Sequence, residues 1–407
     1  MKCRHCQTEL HDTFIDLGFS PPSNAYLKAE DLQWPETHYP LKVMVCRHCW
    51  LVQTEDYTHY DQLFATDYAY FSSTSSTWLR HASGYVDMIA ARLCLGAKSL
   101  VVELAANDGY LLQYVRQKGI PCLGVEPTKS TADAAREKGI PIVEEFFGVA
   151  LGQRLRQSHG AADLIAANNV LAHVPDINDF VGGMAALLAP QGTVTVECPH
   201  LLNLIEQSQF DTIYHEHFSY LSLVAVERVM RAQGLRVYDV EELPTHGGSL
   251  RIYACHQDAA LAQSPAVAAM LARERAFGLE SIDAYAGFQR KAEEIKMGLL
   301  EFLLAQKRAG KKVLAYGAAA KGNTLLNYSG VHPDLLPLVA DAAPSKQDKY
   351  MPGSHIPIVS PARLLQEKPD VVLILPWNIK DEVAQQLAEI RGWGGRFAIA
   401  VPQLQVW

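Results

Sequence analysis

The stretch Glu103-Leu104-Ala105-Ala106-Asn107-Asp108-Gly109 joins a short apolar run, residues 100–104, to a helical segment, and it decides the fold. Small and polar residues at such a turn let the backbone approach a ligand. Glu126 ends the next β-rich run, about 20 residues further on, where a carboxylate can accept hydrogen bonds from ribose hydroxyls. The turn therefore predicts an adenosine-binding unit.

The runs that follow this turn predict a parallel α/β sheet. Short β-rich runs alternate with helical stretches, as in strands that are linked by crossover helices. The expected strands cover residues 100–104, 122–126, 140–143, 163–167 and 194–197. A dinucleotide fold would place Gly-x-Gly-x-x-Gly at the first turn, but Ala105, Asn107 and Tyr110 occupy those positions. Pyrophosphate binding by this unit is therefore disfavoured.

The order of these motifs resembles that of the class I S-adenosylmethionine-dependent methyltransferases. In that family an acid-x-x-x-x-x-Gly motif ends strand one and a second acid follows strand two, as Glu103, Gly109 and Glu126 do here. Runs 235–243 and 249–256 would form the antiparallel hairpin that completes the family's sheet. The resemblance implies S-adenosylmethionine as cofactor, held by Glu103, Ala105, Asn107, Gly109, Glu126, Asn168 and Asn169. An α/β core without this ligand is the alternative.

Length and composition limit what the whole chain can be. At 407 residues it is too long for one ordinary core, which indicates two or three domains. No run reaches the roughly 18 apolar residues of a membrane helix, and the N-terminus has no apolar stretch typical of a signal peptide. The expected location is cytoplasmic, with no membrane partner. The net charge of -8 without a Lys/Arg block argues against nucleic acid as a partner.

Two copies of Cys-Arg-His-Cys predict a zinc site near the N-terminus. The first copy supplies Cys3 and Cys6 and the second Cys46 and Cys49, and each Cys-x-x-Cys knuckle holds half of a tetrahedral site. Four thiolates leave no position open for a substrate, so the ion would be structural. Coincidental pairing is the alternative. The remaining cysteines lie singly in apolar runs and are expected to be buried thiols: Cys94, Cys122, Cys198 and Cys255.

The heptapeptide Tyr214-His215-Glu216-His217-Phe218-Ser219-Tyr220 predicts proton transfer. It concentrates groups that resist burial unless they are paired, and a site that moves protons near neutral pH needs such groups around one carbon. It follows the fifth strand, at the sheet edge where open α/β domains bind ligands. Two alternatives are a His-x-His metal pair, formed by His215 and His217 with Glu216 as third ligand, and a hydrogen-bonded structural loop.

The chain as a whole resembles the deoxysugar C-methyltransferases, which act on nucleotide-linked 4-keto sugars. The shared features are a four-cysteine zinc domain, a methyltransferase core carrying Tyr-His-Glu-His, and a third α/β domain. In that family a base removes the hydrogen next to the ketone, and the enolate attacks the sulfonium methyl group. His217 matches the base, and Glu216 and Tyr214 match its neighbours. The chemistry indicates Tyr214 as donor to the enolate oxygen and Glu216 as the group that holds the imidazole.

Further substrate contacts are predicted on the N-terminal side of the core and in its hairpin. Tyr68 and Tyr70 lie in the aromatic, hydroxyl-rich segment 67–73, which reaches the active site in the resembling enzymes. Packing of these rings against a neighbouring domain is the alternative. His246 occupies the turn of the predicted hairpin and is a third candidate for substrate binding.

The C-terminal part repeats the pattern of strand, small-residue turn and helix at residues 312–323. Backbone amides at the start of a helix, with the Lys321 ammonium close by, suit an anion such as the diphosphate of a nucleotide sugar. Lys321 and Asn323 are therefore predicted to bind substrate. An NAD site and a purely structural repeat are the alternatives, because the turn lacks the three-glycine spacing of a dinucleotide site.

These observations predict an α/β architecture in which a Rossmann-like methyltransferase core lies between a zinc-binding domain and a second Rossmann-like domain. The expected boundaries are 1–66 for the zinc domain, 67–260 for the core, 261–308 for a helical connector and 309–407 for the nucleotide-sugar domain. The expected reaction is methylation beside the ketone of a nucleotide-diphosphate 4-keto-6-deoxysugar, at carbon three first and carbon five second. A nucleotide-sugar epimerase and a non-catalytic zinc-containing binding protein are the alternatives. The nucleotide carrier and the oligomeric state stay open.

Overall fold

The N-terminal part of the chain forms a small antiparallel sheet. The computed structural model describes residues 1–55 and 71–407. Strands β1 (Asp12–Ser20), β2 (Tyr39–Val45) and β3 (Val52–Thr54) pair in that order. A fourth strand, β9 (Ser219–Tyr220), comes from far along the chain and pairs with β3. The zinc-binding region and the heptapeptide therefore share one sheet.

The central domain is a seven-stranded sheet, as the turn at Glu103 predicts. Its strands are β4 (Val101–Leu104), β5 (Cys122–Val125), β6 (Ile142–Val143), β7 (Ala162–Asn168), β8 (Leu188–Pro199), β10 (Leu235–Leu243) and β11 (Ser249–His256). They follow the order β10-β11-β8-β7-β4-β5-β6. The five strands from β4 to β8 are parallel, whereas β11 is antiparallel to both its neighbours. The predicted parallel sheet with a closing hairpin is confirmed.

Helices connect these strands, and three of them begin at a residue whose side chain caps the first turn: Ser75, Asp176 and Ser222. The helices are Ser76–Arg92, Leu112–Gln117, Lys129–Glu137, Val149–His159, Ile177–Leu187, Leu201–Glu206 and Leu223–Ala232. The Ser222 hydroxyl accepts a hydrogen bond from the Ala225 amide and starts the last of them. The predicted strand 194–197 is too short, because β8 already pairs with β7 at Leu188.

The single cysteines are only partly as predicted. Cys198 and Cys255 are buried thiols, whereas Cys122 is half-buried and Cys94 is exposed. Cys94 lies just past the end of the helix Ser76–Arg92 and adopts a positive φ of 52°. The apolar run around it therefore ends a helix at the surface and does not continue into the core.

The C-terminal domain is a second open sheet, joined to the core by two helices, Pro265–Phe277 and Phe288–Arg308. Its strands are β12 (Val313–Tyr316), β13 (Val339–Ala340), β14 (Ile358–Val359), β15 (Val371–Ile374), β16 (Arg396–Ile399) and β17 (Gln405–Val406). All are parallel except β17, in the order β14-β13-β12-β15-β16-β17. The helices of this domain are Ala320–Ser329, Pro361–Gln366 and Lys380–Gln386.

The N-terminal and C-terminal domains share one hydrophobic core. Phe14 of β1 stacks on Phe288 of the connector at a ring distance of 4.4 Å, and the same apolar cluster continues through Phe210 into the C-terminal sheet. This packing brings loops of both outer domains against the carboxyl edge of the central sheet. Across residues 1–55 and 71–407, no helix has the length and apolar character needed to cross a membrane.

Candidate active site

The turn after β4 is built from backbone positions in the left-handed region. Ala105, Asn107 and Gly109 have φ angles of 55°, 49° and 75°. A Cβ atom at Gly109 would lie 2.3 Å from the Cδ1 atom of Ile140 and 3.3 Å from the Cβ atom of Ala135. Glycine is thus required at the last position of the acid-x-x-x-x-x-Gly motif, because both the φ angle and the space exclude a side chain.

Buried polar oxygens that lack a well-formed hydrogen bond lie at the ends of β4 and β7. The Glu103 carboxylate and the amide oxygens of Asn168 and Asn169 make no hydrogen bond of normal geometry with any described residue. Burial raises the pKa of Glu103 well above its usual value, and the neighbouring Tyr110 hydroxyl opposes this only in part. Buried polar atoms need partners. The amino and hydroxyl groups of S-adenosylmethionine supply the required donors, so these residues fit the cofactor.

The Glu126 carboxylate stabilises the turn after β4. Its two oxygens accept hydrogen bonds from the amides of Asn107 and Thr128, each at 2.9 Å. Burial raises the pKa of Glu126, and these two amides counteract the rise. Each carboxylate oxygen retains a further lone pair that can accept a hydroxyl. The contact between Glu126 and a ribose stays a prediction, and the structure gives the carboxylate a second task in shaping the turn.

The His217 imidazole is held in one tautomer. Its Nδ1 atom lies 2.7 Å from the Thr212 carbonyl oxygen. Because a carbonyl can only accept, Nδ1 carries the proton and the lone pair is on Nε2. Burial lowers the pKa of His217 well below its usual value, and the nearby His173 lowers it further. The ring is therefore neutral at physiological pH, which is the form that a general base requires.

Two aromatic rings enclose the imidazole of His217. The Tyr214 ring centroid lies 3.9 Å away with a tilt of 33°, and the His173 ring lies 4.7 Å away in an edge-on arrangement. Burial lowers the pKa of His173 to about 4, so two neutral rings meet without charge repulsion. The predicted neighbour Tyr214 is thus in contact with the candidate base.

The structure contradicts the predicted role of Glu216 as the group that holds the imidazole. The Thr212 carbonyl occupies that place, while the Glu216 carboxylate accepts two hydrogen bonds from the Asn24 amide, at 2.7 Å and 2.9 Å. The reason is a turn, which the His217 amide closes by donating to the Tyr214 carbonyl. In this turn the side chains of Glu216 and His217 point in different directions. Burial raises the pKa of Glu216 to about 7, and Asn24 opposes the rise.

The two histidines of the heptapeptide do not form a metal pair. The Nε2 atom of His215 lies 3.2 Å from the Pro40 carbonyl oxygen, whereas His217 is bonded to Thr212. Within the described ranges, the one group of three or more potential ligands close enough for a metal ion is the four-cysteine cluster. The geometry therefore favours proton chemistry over metal binding at this segment.

Lys321 brings the C-terminal domain close to the segment that carries His217. Its ammonium donates to the Asn378 amide oxygen at 2.7 Å and lies 4.7 Å from the centroid of the Trp377 ring. Burial, followed by the charge of Lys321, lowers the pKa of His246 to about 4. His246 in turn has its Nε2 atom 3.3 Å from the Asn169 amide nitrogen. Lys321 and His246 both lie close enough to His217 to lower its pKa, and His246 lies beside Asn169. We call the region around these four residues the chamber.

One other predicted substrate contact, Asn323, is not placed in this chamber. Asn323 is fully buried, and its amide donates to the Ser23 carbonyl at 2.7 Å. It therefore anchors the N-terminal loop that carries Asn24, and direct contact with a substrate is not supported. Tyr68 and Tyr70 lie outside the described residues, so their role stays a prediction.

The four N-terminal cysteines converge on one point. Their sulfur atoms all lie within 4.8 Å of one another, with Cys3 to Cys49 and Cys6 to Cys46 each at 3.5 Å. Tetrahedral zinc with bonds of about 2.3 Å needs sulfur separations of about 3.8 Å. Each knuckle is closed by a backbone hydrogen bond: the Gln7 amide donates to the Cys3 carbonyl, and the Trp50 amide donates to the Cys46 carbonyl. The residues present fit a structural zinc ion.

Several residues near His217 were not predicted from the sequence. Asn24 and Tyr26 lie in a loop without any chemical signature, yet the Tyr26 hydroxyl donates to the Ala318 carbonyl at 2.5 Å. His173 is part of the segment that follows the fourth strand, and its residue type alone could have singled it out. Trp377 comes after a buried strand of an open sheet, a position where ligand-facing residues are common.

Three family models match the chain in succession. A zinc binding domain matches residues 3–64, a methyltransferase domain matches residues 71–240, and a C-methyltransferase C-terminal domain matches residues 244–402. The middle match covers the turn and the strand ends that fit S-adenosylmethionine. Fold and site therefore define a class I S-adenosylmethionine-dependent methyltransferase that also carries a structural zinc site.

C-methyltransferase NovU from Streptomyces niveus is 36% identical over 408 residues, which cover 100% of this chain and 96% of that protein. The chain belongs to this C-methyltransferase family, as its motifs predict. A ubiquinone biosynthesis O-methyltransferase from Chromobacterium violaceum is 23% identical over 43% of this chain and 80% of that protein. The structure of magnesium protoporphyrin IX methyltransferase from Synechocystis PCC 6803 with bound SAM aligns with 50% of this chain and 100% of that chain, at 12% identity and a TM-score of 0.36.

Proposed function

We propose that the protein methylates the carbon next to the ketone of a nucleotide-diphosphate 4-keto-6-deoxysugar, with carbon three as first choice and carbon five as second. The observation that carries the proposal is the hydrogen bond from Nδ1 of His217 to the Thr212 carbonyl. It leaves Nε2 as a neutral proton acceptor beside the strand ends that fit the cofactor. Carbon becomes nucleophilic only after deprotonation, and an adjacent ketone makes its proton acidic enough for an imidazole.

The reaction then proceeds by enolate formation. Nε2 of His217 accepts the proton, and the electron pair of the C–H bond moves into an enolate whose oxygen carries the negative charge. The Tyr214 hydroxyl donates a hydrogen bond to that oxygen. Bound S-adenosylmethionine would supply the electrophilic methyl group for the enolate carbon, and its sulfur would keep the electron pair of the broken bond. The His217 imidazolium finally returns its proton to water.

The third domain supports a substrate linked to a nucleotide diphosphate. The turn after β12 leads into the helix Ala320–Ser329, whose first amides can meet an anion. The Lys346 ammonium donates to the Ala318 carbonyl of this turn at 2.8 Å and lies 5.3 Å from the centroid of the Tyr26 ring. Lys321 and Lys346 thus lie at this turn, where an ammonium group can add to the helix amides in binding a diphosphate.

The test is to incubate the purified protein with thymidine-diphospho-4-keto-6-deoxyglucose in deuterated water, with and without S-adenosylmethionine, and to follow mass and proton NMR. The expected result is a new carbon-bound methyl group with cofactor, and enzyme-dependent deuterium at carbon three or five without it. Exchange without methylation would instead favour an epimerase. Absence of both, also with guanosine-linked sugars, would contradict the proposal.

A further inference from the structure

Trp377 connects the C-terminal domain to the segment that carries His217. Its indole Nε1–H donates to Oδ2 of Asp211 at 2.8 Å. Asp211 is fully buried in the short turn Phe210–Thr212. The next residue, Thr212, supplies the carbonyl that fixes the His217 tautomer. A hydrogen bond from another domain therefore ends on the residue next to Thr212, whose carbonyl orients the candidate base.

Two further contacts hold the indole ring in place. A Cβ atom at Gly247 would lie 2.4 Å from the Cη2 atom of Trp377, so the ring packs directly on the backbone beside His246. The Lys321 ammonium lies 4.7 Å from the centroid of the indole ring and is bonded to Asn378, the next residue of the loop. The indole is thus in contact with the hairpin turn, with a cation of the chamber and with the turn before the base.

The indole supplies a side-chain hydrogen bond to the Asp211 carboxylate. Its other oxygen, Oδ1, has no hydrogen-bond partner in the parts of the chain that the structure describes. Burial raises the pKa of Asp211 to about 6, and Lys321, Trp377 and the backbone amides of Asp211 and Thr212 oppose the rise. A buried carboxylate that loses its side-chain donor must find another partner or move. Either response shifts the turn that presents the Thr212 carbonyl.

We propose that Trp377 is a positioning residue for proton abstraction: through Asp211 it holds the turn Phe210–Thr212, and thereby the His217 imidazole, in the reactive orientation. The proposal rests on the proposed function for its assay substrate. Misplacement of a reacting group by about 1 Å can cost about 100-fold in rate. Loss of the indole N–H is expected to lower the rate of proton abstraction at least about tenfold.

The first variant is Trp377→Phe, which keeps an aromatic ring next to Gly247 and removes the donor. Trp393→Phe is its matched control, because the Trp393 indole of the same domain donates to the Pro369 carbonyl at 3.0 Å, away from the chamber. In the full-length, zinc-loaded protein, Trp377→Phe should lower kcat at least about tenfold, and it should lower the rate of deuterium exchange without cofactor by the same factor. The KM for the sugar and the Kd for the cofactor should stay within about twofold of the wild-type values. Trp393→Phe should leave all four unchanged. Equal behaviour of the two variants would overturn the proposal.

A second pair of variants separates positioning from simple packing. Asp211→Asn keeps an oxygen that accepts the indole N–H, whereas Asp211→Leu removes the acceptor at similar size. The asparagine variant should retain kcat within about threefold and the leucine variant should resemble Trp377→Phe. Equal activity of the asparagine and leucine variants would overturn the proposal.

The protonation state of the His217 imidazole can be measured without any sugar substrate. The imidazole nitrogen-15 resonances of His217, assigned by their loss in His217→Gln, report which ring nitrogen carries the proton. Trp377→Phe should reduce the population protonated at Nδ1, and Trp393→Phe should not. An unchanged His217 spectrum in Trp377→Phe would reject the positioning role. Failure of the wild-type protein to process any 4-keto sugar would reject the proposed function alone.

Discussion

Replacing Glu216 by glutamine should change how the stability of the protein depends on pH. In the folded protein burial raises the pKa of Glu216 to about 7, with Asn24 opposing the rise, whereas a glutamic acid in an unfolded chain titrates at about 4.3. Between these values the native state binds a proton that the unfolded chain has released. The free energy of unfolding therefore falls as pH rises through this range.

The magnitude follows from the size of the pKa shift. One pKa unit corresponds to about 1.4 kcal/mol, so the stabilisation that the neutral carboxyl group contributes is on the order of 4 kcal/mol. It is complete below about pH 4.3 and is lost as the pH passes through about 7. Roughly 2 kcal/mol of it is lost between about pH 5.5 and about pH 8. Glu216 is only 2% exposed, so screening by solvent is small.

The assay is urea unfolding of the wild type and Glu216→Gln at several pH values, followed by tryptophan fluorescence. Glutamine does not titrate and keeps one oxygen for Asn24, so the unfolding free energy of the variant, relative to wild type, should rise by about 2 kcal/mol over this range. Glu301→Gln, on an exposed position of the helix Phe288–Arg308, is the control and should show a constant difference. Parallel curves for Glu216→Gln and wild type would refute the reasoning.

Three further substitutions test the other parts of the site. His217→Ala should lower kcat by about 10² to 10⁴ with cofactor affinity retained, because it removes a general base; turnover kinetics and calorimetry check this, and near-normal turnover would contradict it. Glu126→Ala should weaken binding of S-adenosylmethionine, since the Asn107 amide loses its acceptor; unchanged affinity in calorimetry would remove it from the site. Cys46→Ser should release zinc and lower Tm because structural zinc contributes to folding free energy. The control Cys94→Ser, at an exposed cysteine, should keep the zinc content and the Tm of the wild type. Metal analysis and thermal melts measure the two quantities.

The sequence predicts the sheet well because its signals are local. Strands β10 and β11 have the predicted bounds, since the apolar residues of β11 alternate and a Gly-Gly turn precedes it, although a β-bulge interrupts the pairing between Val237 and Asp239. The turn after β4 is equally local, because Gly109 satisfies both a positive φ and a close approach to Ile140. The start of β8 is different. It depends on pairing with β7 far away in sequence, which no window of residues reveals.

The candidate site could be predicted only as far as residue types. His217 is singled out by its neighbours in sequence, but the group that fixes it is a backbone carbonyl, which looks the same at every residue. Glu216 was assigned to the wrong partner for the same reason: a turn decides where its carboxylate points, and Asn24 is 192 residues away. Contacts made by main-chain atoms or across domains depend on the whole fold.

The segment with His217 can act as proposed only when all three domains surround it. Asn24 ties it to the N-terminal loop, Trp377 ties its start to the C-terminal domain, and β9 joins its end to β3. The burial that lowers the pKa of His217 and raises that of Glu216 comes from this enclosure. Strand β3 begins three residues after the second cysteine knuckle, and it pairs with β9 at Val52 and Tyr220. A zinc ion that takes no part in the chemistry would therefore still help to position the segment that carries His217.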